Sequence, residues 1–285
     1  WMRQTGTPAK DSGRGVGVDC EGNAYIAGYT EGSLGGPNAG GRDAFLAKYD
    51  ASGNLIWTRQ AGTAGTHQAP PVAVGGAGNA DITRNTEGSL GGPSAGNWDA
   101  FLIKYDTSGT LVWARQAGTS EYDAAYAVAV DVAGNAYIAG GTDGSPGNAF
   151  LAKYDASGTL VWMRRAATPF DDRACGVAVD GVGNAYIAGV TAGGLGGLNA
   201  GSWDGFLVKF DVAGTMLWTR QVGTPESDQV FAVAVDGAGN PYITGTTSGS
   251  LAGPNAGYDD YVLCKYDPSG TLLWMRQVGT AGFDS

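Results

Sequence analysis

Metal-binding and redox-active residues are scarce in this sequence, which holds one histidine, His67, and three cysteines, Cys20, Cys175 and Cys264, among 285 residues. A single imidazole excludes a metal site built from several histidines. The cysteines stand at three different positions of the repeat described below, so no shared pairing joins them. We therefore expect neither a metal cofactor nor a disulfide framework.

Positive charge and long apolar runs are scarce as well. The chain carries 17 Lys and Arg against 27 Asp and Glu, a formal net charge of −10, so it has no broad basic surface to neutralise a phosphate backbone. Apolar runs such as 124–130 are too short to span a bilayer, and the start has neither an initiator Met nor a signal-like segment. We expect no nucleic-acid partner, no membrane insertion and a segment excised from something longer.

Glycine is abundant, with 50 residues, while 43% of the chain is apolar, which is too hydrophobic for a disordered linker. The glycines must therefore serve turns. A Trp-x-Arg phrase recurs every 56 residues, shortened once to 49, and begins at Trp1, Trp57, Trp113, Trp162, Trp218 and Trp274. This spacing predicts a single domain, 1–285, made of units 1–56, 57–112, 113–161, 162–217 and 218–273 with a partial restart at 274–285.

Each unit predicts four short β-strands, which in the first unit are 16–19, 24–30, 44–50 and 55–60. β-branched and aromatic residues dominate these runs, as strands prefer. An Asp-x-x-Gly-Asn phrase joins the first two strands and an Asp-x-Ser-Gly phrase joins the last two. Both predict hairpin turns, because Asp can accept the N–H groups of its own turn and Gly can adopt a positive φ.

Both faces of the strands are apolar, as in Phe45, Leu46, Ala47 and Tyr49, so each small sheet must be covered by neighbours on two sides. Repeated four-stranded antiparallel units of this length predict an all-β fold, a β-propeller. Five blades fit the count best, and a fragment of a six- or seven-bladed propeller is the alternative. A linear β-solenoid fits less well because its repeats usually run shorter.

The recurring phrases Val-Ala-Val-Asp-x-x-Gly-Asn-Ala-Tyr-Ile-Ala-Gly and Asp-Ala-Phe-Leu-Ala-Lys-Tyr-Asp-x-Ser-Gly resemble the bacterial SBBP-type β-propeller repeats. The resemblance extends over essentially the whole chain. It implies a propeller, typically in secreted or cell-surface bacterial proteins, with no characteristic catalytic residues and no settled ligand. It thus supports the fold and the location, and leaves the chemistry open.

Two units depart from the common pattern. The second has Gly75 at the position of the turn Asp, Asp81 at that of the strand Tyr and Arg84 at that of a Gly, which predicts a distorted blade. The third lacks seven residues before its third strand, which predicts one shorter loop.

The chain opens with a fourth-type strand phrase at 1–7, although the last unit already contains its own. An unpaired strand of this kind favours addition to a neighbouring molecule. Self-association through Trp1 to Thr7 is therefore one partner hypothesis.

Functional residues are expected on the face that carries the long second-to-third and fourth-to-first connections, because loops on a rigid scaffold carry contacts. One acid recurs in the fourth-to-first connection, at Asp11, Asp123, Asp172 and Asp228, and His67 replaces it in the second unit. A ring of such carboxylates could hold a ligand or Ca²⁺, which the sequence does not predict outright. The alternative is structural: each Asp caps its loop or pairs with the recurring Arg.

Aromatic residues precede the third strand in only some units, at Trp98, Trp203 and Tyr258. Scaffold symmetry does not account for them, since core aromatics such as Trp57 recur in nearly every copy. An exposed ring beside a polar side chain is typical of sugar sites. These three residues are therefore candidate ligand contacts, with coverage of the blade below as the alternative.

The patterns favour a non-enzymatic extracellular or cell-surface module, either a scaffold or a multivalent binder of glycan or protein surfaces. The alternative is a propeller glycoside hydrolase using axial Asp residues. Catalysis by Ser and His is disfavoured because His67 has no orienting acid among its neighbours. The recurring lysines, such as Lys48 and Lys104, predict salt bridges within blades or edge protection.

Overall fold

The structure is a computed structural model that describes residues 1–68, 71–144, 146–282 and 284. These residues form twenty β-strands, which confirms the expected all-β class. No helix in the described part of the chain has the length and apolar character to cross a membrane.

The strands form five four-stranded sheets, and in each of them the strands lie side by side in chain order. The first sheet contains β1 (Asp11–Val18), β2 (Ala24–Thr30), β3 (Asp43–Tyr49) and β4 (Leu55–Ala61). The second contains β5 (Val72–Val74), β6 (Ala80–Thr86), β7 (Asp99–Tyr105) and β8 (Leu111–Ala117). The third contains β9 (Tyr122–Val130), β10 (Ala136–Asp143), β11 (Asn148–Tyr154) and β12 (Leu160–Ala166).

The fourth sheet contains β13 (Asp172–Val179), β14 (Ala185–Thr191), β15 (Asp204–Phe210) and β16 (Met216–Val222). The fifth contains β17 (Asp228–Val235), β18 (Pro241–Thr247), β19 (Asp260–Tyr266) and β20 (Leu272–Val278). Five such sheets agree with five expected blades. By contacts the chain divides into two compact units, one made of Trp1–Ile138 with Lys153–Val161 and the other of Ala139–Ala152 with the residues from Trp162 onward.

The short turns follow the predicted chemistry. In the β3–β4 turn, Asp50 Oδ1 accepts the N–H groups of Ser52 and Asn54 at 2.9 and 2.8 Å, and Gly53 has φ +81°. Two glycines in every sheet, one in each short turn, adopt such a positive φ, between 77 and 89°. Side-chain oxygens and glycine freedom together close each hairpin.

Neighbouring sheets within one compact unit share a continuous apolar core. In the compact unit that begins at Trp1, Leu46 and Trp57 of the first sheet pack with Phe101 and Ile103 of the second. In the other compact unit, Leu207 of the fourth sheet packs with the fifth sheet.

The third strands β3, β7 and β15 are buried along their whole length, as expected for sheets covered on both faces. In the fifth sheet, Tyr261 and Leu263 of β19 are exposed, so one face of that strand is not covered.

The Trp-x-Arg phrase joins each sheet to the following one through two side-chain hydrogen bonds to turn carbonyls, an arrangement that we call a clip. Trp57 Nε1 donates to the carbonyl of Thr107 at 3.1 Å, and Arg59 Nε donates to that of Gly109 at 2.6 Å. Trp113 and Arg115 repeat both bonds, as do Trp162 with Arg164 and Trp218 with Arg220. The recurring Arg therefore binds turn carbonyls, and the predicted alternative of pairing with the loop Asp is wrong.

The N-terminal phrase makes the same clip without forming a strand. Trp1 Nε1 donates to the carbonyl of Ala51 at 3.0 Å and Arg3 Nε to that of Gly53 at 2.9 Å, while the indole stacks on Tyr49 at 6.2 Å between centroids. Residues 1–7 thus lie on the first sheet of their own chain. Self-association through them remains a proposal, and it would need these bonds to be replaced.

The inner strand begins earlier than predicted and is bulged. β1 starts at Asp11 rather than residue 16, because its pairing with β2 continues past a register shift between Gly13 and Gly15. Equivalent shifts occur in β13 and β17. A bulge adds one unpaired residue and interrupts the regular alternation of side chains. The alternation in the sequence therefore did not predict the first half of β1.

The distortion predicted for the second unit is confined to its inner strand, since β5 has only three residues and β6 pairs with β7 in the same register as β2 with β3. The predicted short loop of the third unit is present, with only four residues between β10 and β11.

Candidate functional site

The recurring acids are loop caps. Asp11 Oδ2 accepts the N–H and the hydroxyl of Thr7 at 2.6 and 3.0 Å, and Asp123, Asp172 and Asp228 bind the Thr four residues before them in the same way. Burial raises the pKa of Asp11, but hydrogen bonds from the Thr30 side chain and from Thr7 outweigh it, so the pKa is lowered. Each carboxylate therefore closes its own fourth-to-first connection.

His67 performs the same task with a different chemistry. Its ring is fully buried, and Nε2 lies 2.7 Å from the N–H of Thr63 and 3.1 Å from the Thr63 hydroxyl. Because the N–H of Thr63 donates to Nε2, this nitrogen is the unprotonated one, and burial, which lowers the pKa of His67, favours the neutral ring that this bond requires. Across residues 1–68, 71–144, 146–282 and 284, no three His, Cys, Asp or Glu side chains gather as a metal site would require.

The loop aromatics differ in exposure and partners. Trp98 is half-buried, and its ring lies 6.0 Å from that of Tyr122, whose hydroxyl accepts a hydrogen bond from Asn85 Nδ2 at 2.9 Å. Trp203 is also half-buried, whereas Tyr258 is 65% exposed.

Backbone bonds join two of these residues to the capping acids. The carbonyl of Trp98 accepts the N–H of Asp123 at 2.8 Å, and that of Trp203 accepts the N–H of Asp228 at 2.7 Å. Each of these two tryptophans is thus bonded through its main chain to the capping acid of the following sheet.

A cleft of about 440 Å³ lies at this edge of the sheets, within the compact unit that begins at Trp1. It is lined by residues that differ from one repeat to the next: Arg14, Tyr29, Arg42, Gln68, Pro71, Arg84 and Tyr126. Arg14 is the residue added at the bulge of β1, between Gly13 and Gly15. Tyr126 occupies the aligned position of β9, and the same position holds Cys175 and Phe231 in the last two units. Bulge positions carry the variable side chains of an otherwise repetitive scaffold.

Two arginines of the cleft are held on aromatic rings. The guanidinium carbon of Arg42 lies 4.7 Å from the ring centroid of Tyr29, and that of Arg84 lies 4.7 Å from that of Tyr126. Arg42 Nε donates to Glu31 Oε1 at 3.1 Å. Cation–π contacts of this kind, with hydrogen bonds in the plane, orient a guanidinium group before a ligand arrives.

The side chain of Arg84 stands where the repeat otherwise has no side chain. Glycine stands at this position in the other units, and a Cβ on Gly28 would lie 2.0 Å from the carbonyl oxygen of Ser12. Arg84 instead reaches Gln68, whose Oε1 accepts from its Nε and Nη2 at 3.2 and 3.0 Å.

Comparison with known families decides the class of the chain. The family model described as SBBP, beta-propeller repeat, matches residues 1–35, 112–148, 161–196 and 217–252, together just over half of the chain. This chain belongs to the SBBP β-propeller repeat family. Its four-stranded sheets are SBBP blades, and residues 36–111, which include Arg84, lie outside the matched segments.

Similarity to individual proteins is weak. A protein of unknown function from Bacteroides caccae shares 10% identity with a TM-score of 0.44, over 82% of this chain and 90% of its own. A protein provisionally assigned as an exo-beta-1,3-galactanase from Bifidobacterium bifidum s17 shares 14% identity with a TM-score of 0.46, over 91% and 90%. No curated protein matches the sequence.

The second SBBP blade replaces a recurring ion pair by a shifted one. In the first blade, Lys48 Nζ lies 3.6 Å from the turn acid Asp19. In the second blade the turn position is Gly75, and the carboxylate comes from Asp81, 3.2 Å from Lys104. The recurring lysines are thus structural, as predicted.

Sequence reasoning missed the SBBP cleft as a site. Arg84 was visible as a departure from the repeat, but Arg14, Tyr29 and Arg42 were not singled out. Comparing each position across the five units would have marked them, because Arg42 stands where other units have Trp98 or Trp203. Their proximity, however, depends on the bulge and on strand register.

Proposed function

We propose that this SBBP protein is a non-enzymatic, extracellular module of a bacterial surface that binds a glycan on the long-loop side of its second blade. The observation that carries the proposal is a difference between polar side chains that recur in every repeat and those that do not. Recurring ones are bonded into the scaffold, whereas non-recurring ones line the cleft of Arg14, Arg42 and Arg84.

The engagement of the acids supports a binding role over glycoside hydrolysis. A glycosidase needs one carboxyl group with a raised pKa and a second in a different environment. Asp11, Asp123, Asp172 and Asp228 instead share one environment, and each holds a threonine N–H. Their chemistry is that of equal structural caps.

Trp98 offers the apolar surface that a sugar ring needs. Its indole packs on Tyr122, and the Tyr122 hydroxyl accepts a hydrogen bond from Asn85. An aromatic ring beside hydrogen-bonding groups suits carbohydrate, which presents an apolar face and polar edges. Because these residues are not repeated, one site per chain replaces the multivalent binding that the repeated loops suggest.

A glycan array with wild-type protein and two tryptophan variants tests the proposal. Trp98→Ala should weaken binding about tenfold, whereas Trp203→Ala, the same repeat position in the fourth blade, should leave it unchanged. Equal losses in both variants would place binding on a repeated surface. No binding of any glycan by a wild-type protein that is folded by circular dichroism would overturn the proposal.

A further inference from the structure

Three cationic side chains face one cleft in a strongly acidic protein. Arg14, Arg42 and Arg84 line the same cavity, while the whole chain has a formal net charge of −10. Concentrating like charges costs free energy unless a counter-charge compensates. Arg42 contacts one carboxylate among the described residues, that of Glu31, at 3.1 Å.

Arg14 and Arg42 retain donors for a ligand. Arg14 has no hydrogen bond or ion pair with any described residue, and Arg42 uses Nε for Glu31 and no Nη atom for a described partner. A guanidinium edge with two parallel N–H groups matches the two oxygens of a carboxylate.

The contacts beneath Arg42 and Arg84 mean that the two groups are already ordered. Tyr29 is buried under Arg42, and Tyr126 with Gln68 fixes Arg84. A ligand therefore has to immobilise less of the protein, which improves affinity for a given set of contacts.

The surrounding negative charge selects the kind of anion. Charges about 8–10 Å apart are largely screened at physiological salt, so one local anion can be bound despite the net charge. A continuous polyanion such as a nucleic acid would also meet the acidic surface beyond the cleft.

We propose that the cleft binds the carboxylate of an acidic sugar, a uronic acid unit within a polysaccharide. The proposal rests on the glycan-binding function proposed above and names its substrate class. The arginines bind the carboxylate, and Trp98 with Tyr122 contacts the adjoining ring. The cleft volume of about 440 Å³ lies within the usual range of about 300–1,000 Å³ for small-ligand sites.

Isothermal titration with an otherwise neutral oligosaccharide that carries a single galacturonic acid unit, with its methyl ester and with a peptide that carries a single glutamate tests the inference. The acid should bind at least about tenfold tighter than the ester, which has the same rings without the charge. Arg42→Gln and Arg84→Gln should each weaken binding of the acid by about tenfold and leave that of the ester unchanged. Arg165→Gln removes the same charge from an exposed position outside the cleft and should have no such effect.

Each contrary outcome has a distinct meaning. Equal affinity for acid and ester would overturn the carboxylate inference and leave the glycan function standing. Tighter binding of the peptide than of the sugar, with loss in Arg84→Gln, would retain the anion site and overturn the glycan function. Absence of binding to all three probes would overturn the carboxylate inference, and the glycan array would then decide the general function separately.

Discussion

Asp81 and Lys104 form a buried ion pair, with 3.2 Å between Oδ2 and Nζ, in the blade that lacks the usual turn acid. Burial raises the pKa of Asp81 to about 6, and the positive charge of Lys104 opposes this rise. Asp81 thus supplies the carboxylate for the recurring lysine in the one blade where Gly75 replaces the turn acid. The second blade therefore changed its turn and strand residues without leaving a buried ammonium group unpaired.

The raised pKa of Asp81 predicts a specific pH dependence of stability. Between its ordinary value of 3.8 and about 6, the folded state holds a proton that the unfolded state has released, so the stabilising effect of Asp81 declines as pH rises through this window. The melting temperature of wild type minus that of Asp81→Asn should fall from pH 4 to 6 and stay level above it. A difference that grows with pH would contradict the assignment.

His67 predicts the opposite slope. Because burial lowers its pKa from 6.5, the unfolded chain takes up a proton first as the pH falls, and the folded state loses stability below about pH 6.5. His67→Asp restores the acid of the other blades, which caps the same kind of loop. The variant should melt higher than wild type at pH 5, by a margin that shrinks at pH 8. The same margin at both pH values would show that protonation of His67 is irrelevant.

The positive-φ glycines predict a sharp contrast between two positions. Gly109 has φ +77°, and a Cβ there would lie 2.8 Å from the Trp57 ring, so Gly109→Ala should cost about 1–3 kcal/mol. A Cβ on Gly76 would have no atom within 4 Å, so Gly76→Ala should change the free energy of unfolding by about 0.5 kcal/mol or less. Urea denaturation followed by tryptophan fluorescence measures both, and similar costs would refute the clip geometry.

Two equivalent leucines should differ in their contribution to stability. Leu207 in β15 is fully buried, whereas its counterpart Leu263 in β19 is 41% exposed. Leu207→Ala should lower the free energy of unfolding by about 2–5 kcal/mol. Leu263→Ala should lower it by about 1 kcal/mol or less, because the Leu263 side chain buries little apolar area on folding. Denaturant unfolding at low protein concentration compares them. An equally large cost for Leu263 would mean that its face is covered in solution.

Much of the scaffold could be predicted because its causes are local. Asp-x-Ser-Gly closes a hairpin by bonds within five residues, as Asp50 and Gly53 do, and apolar residues on both faces of β3 require covering sheets. The loop caps were weighed correctly as one alternative, since Asp11 and Thr7 are four residues apart. The start of β1 was missed because the bulge at Arg14 interrupts the alternation.

The repeat spacing, the turn residues and the apolar faces therefore determined the strand order and the SBBP blades by themselves, since each depends on neighbours in the chain. Only the tertiary structure decided which residues form the cleft. Arg14, Arg42 and Arg84 come from three strands or their ends, and their meeting depends on a bulge and on cross-strand register. Such proximity arises from packing over long sequence separations, which no local pattern encodes.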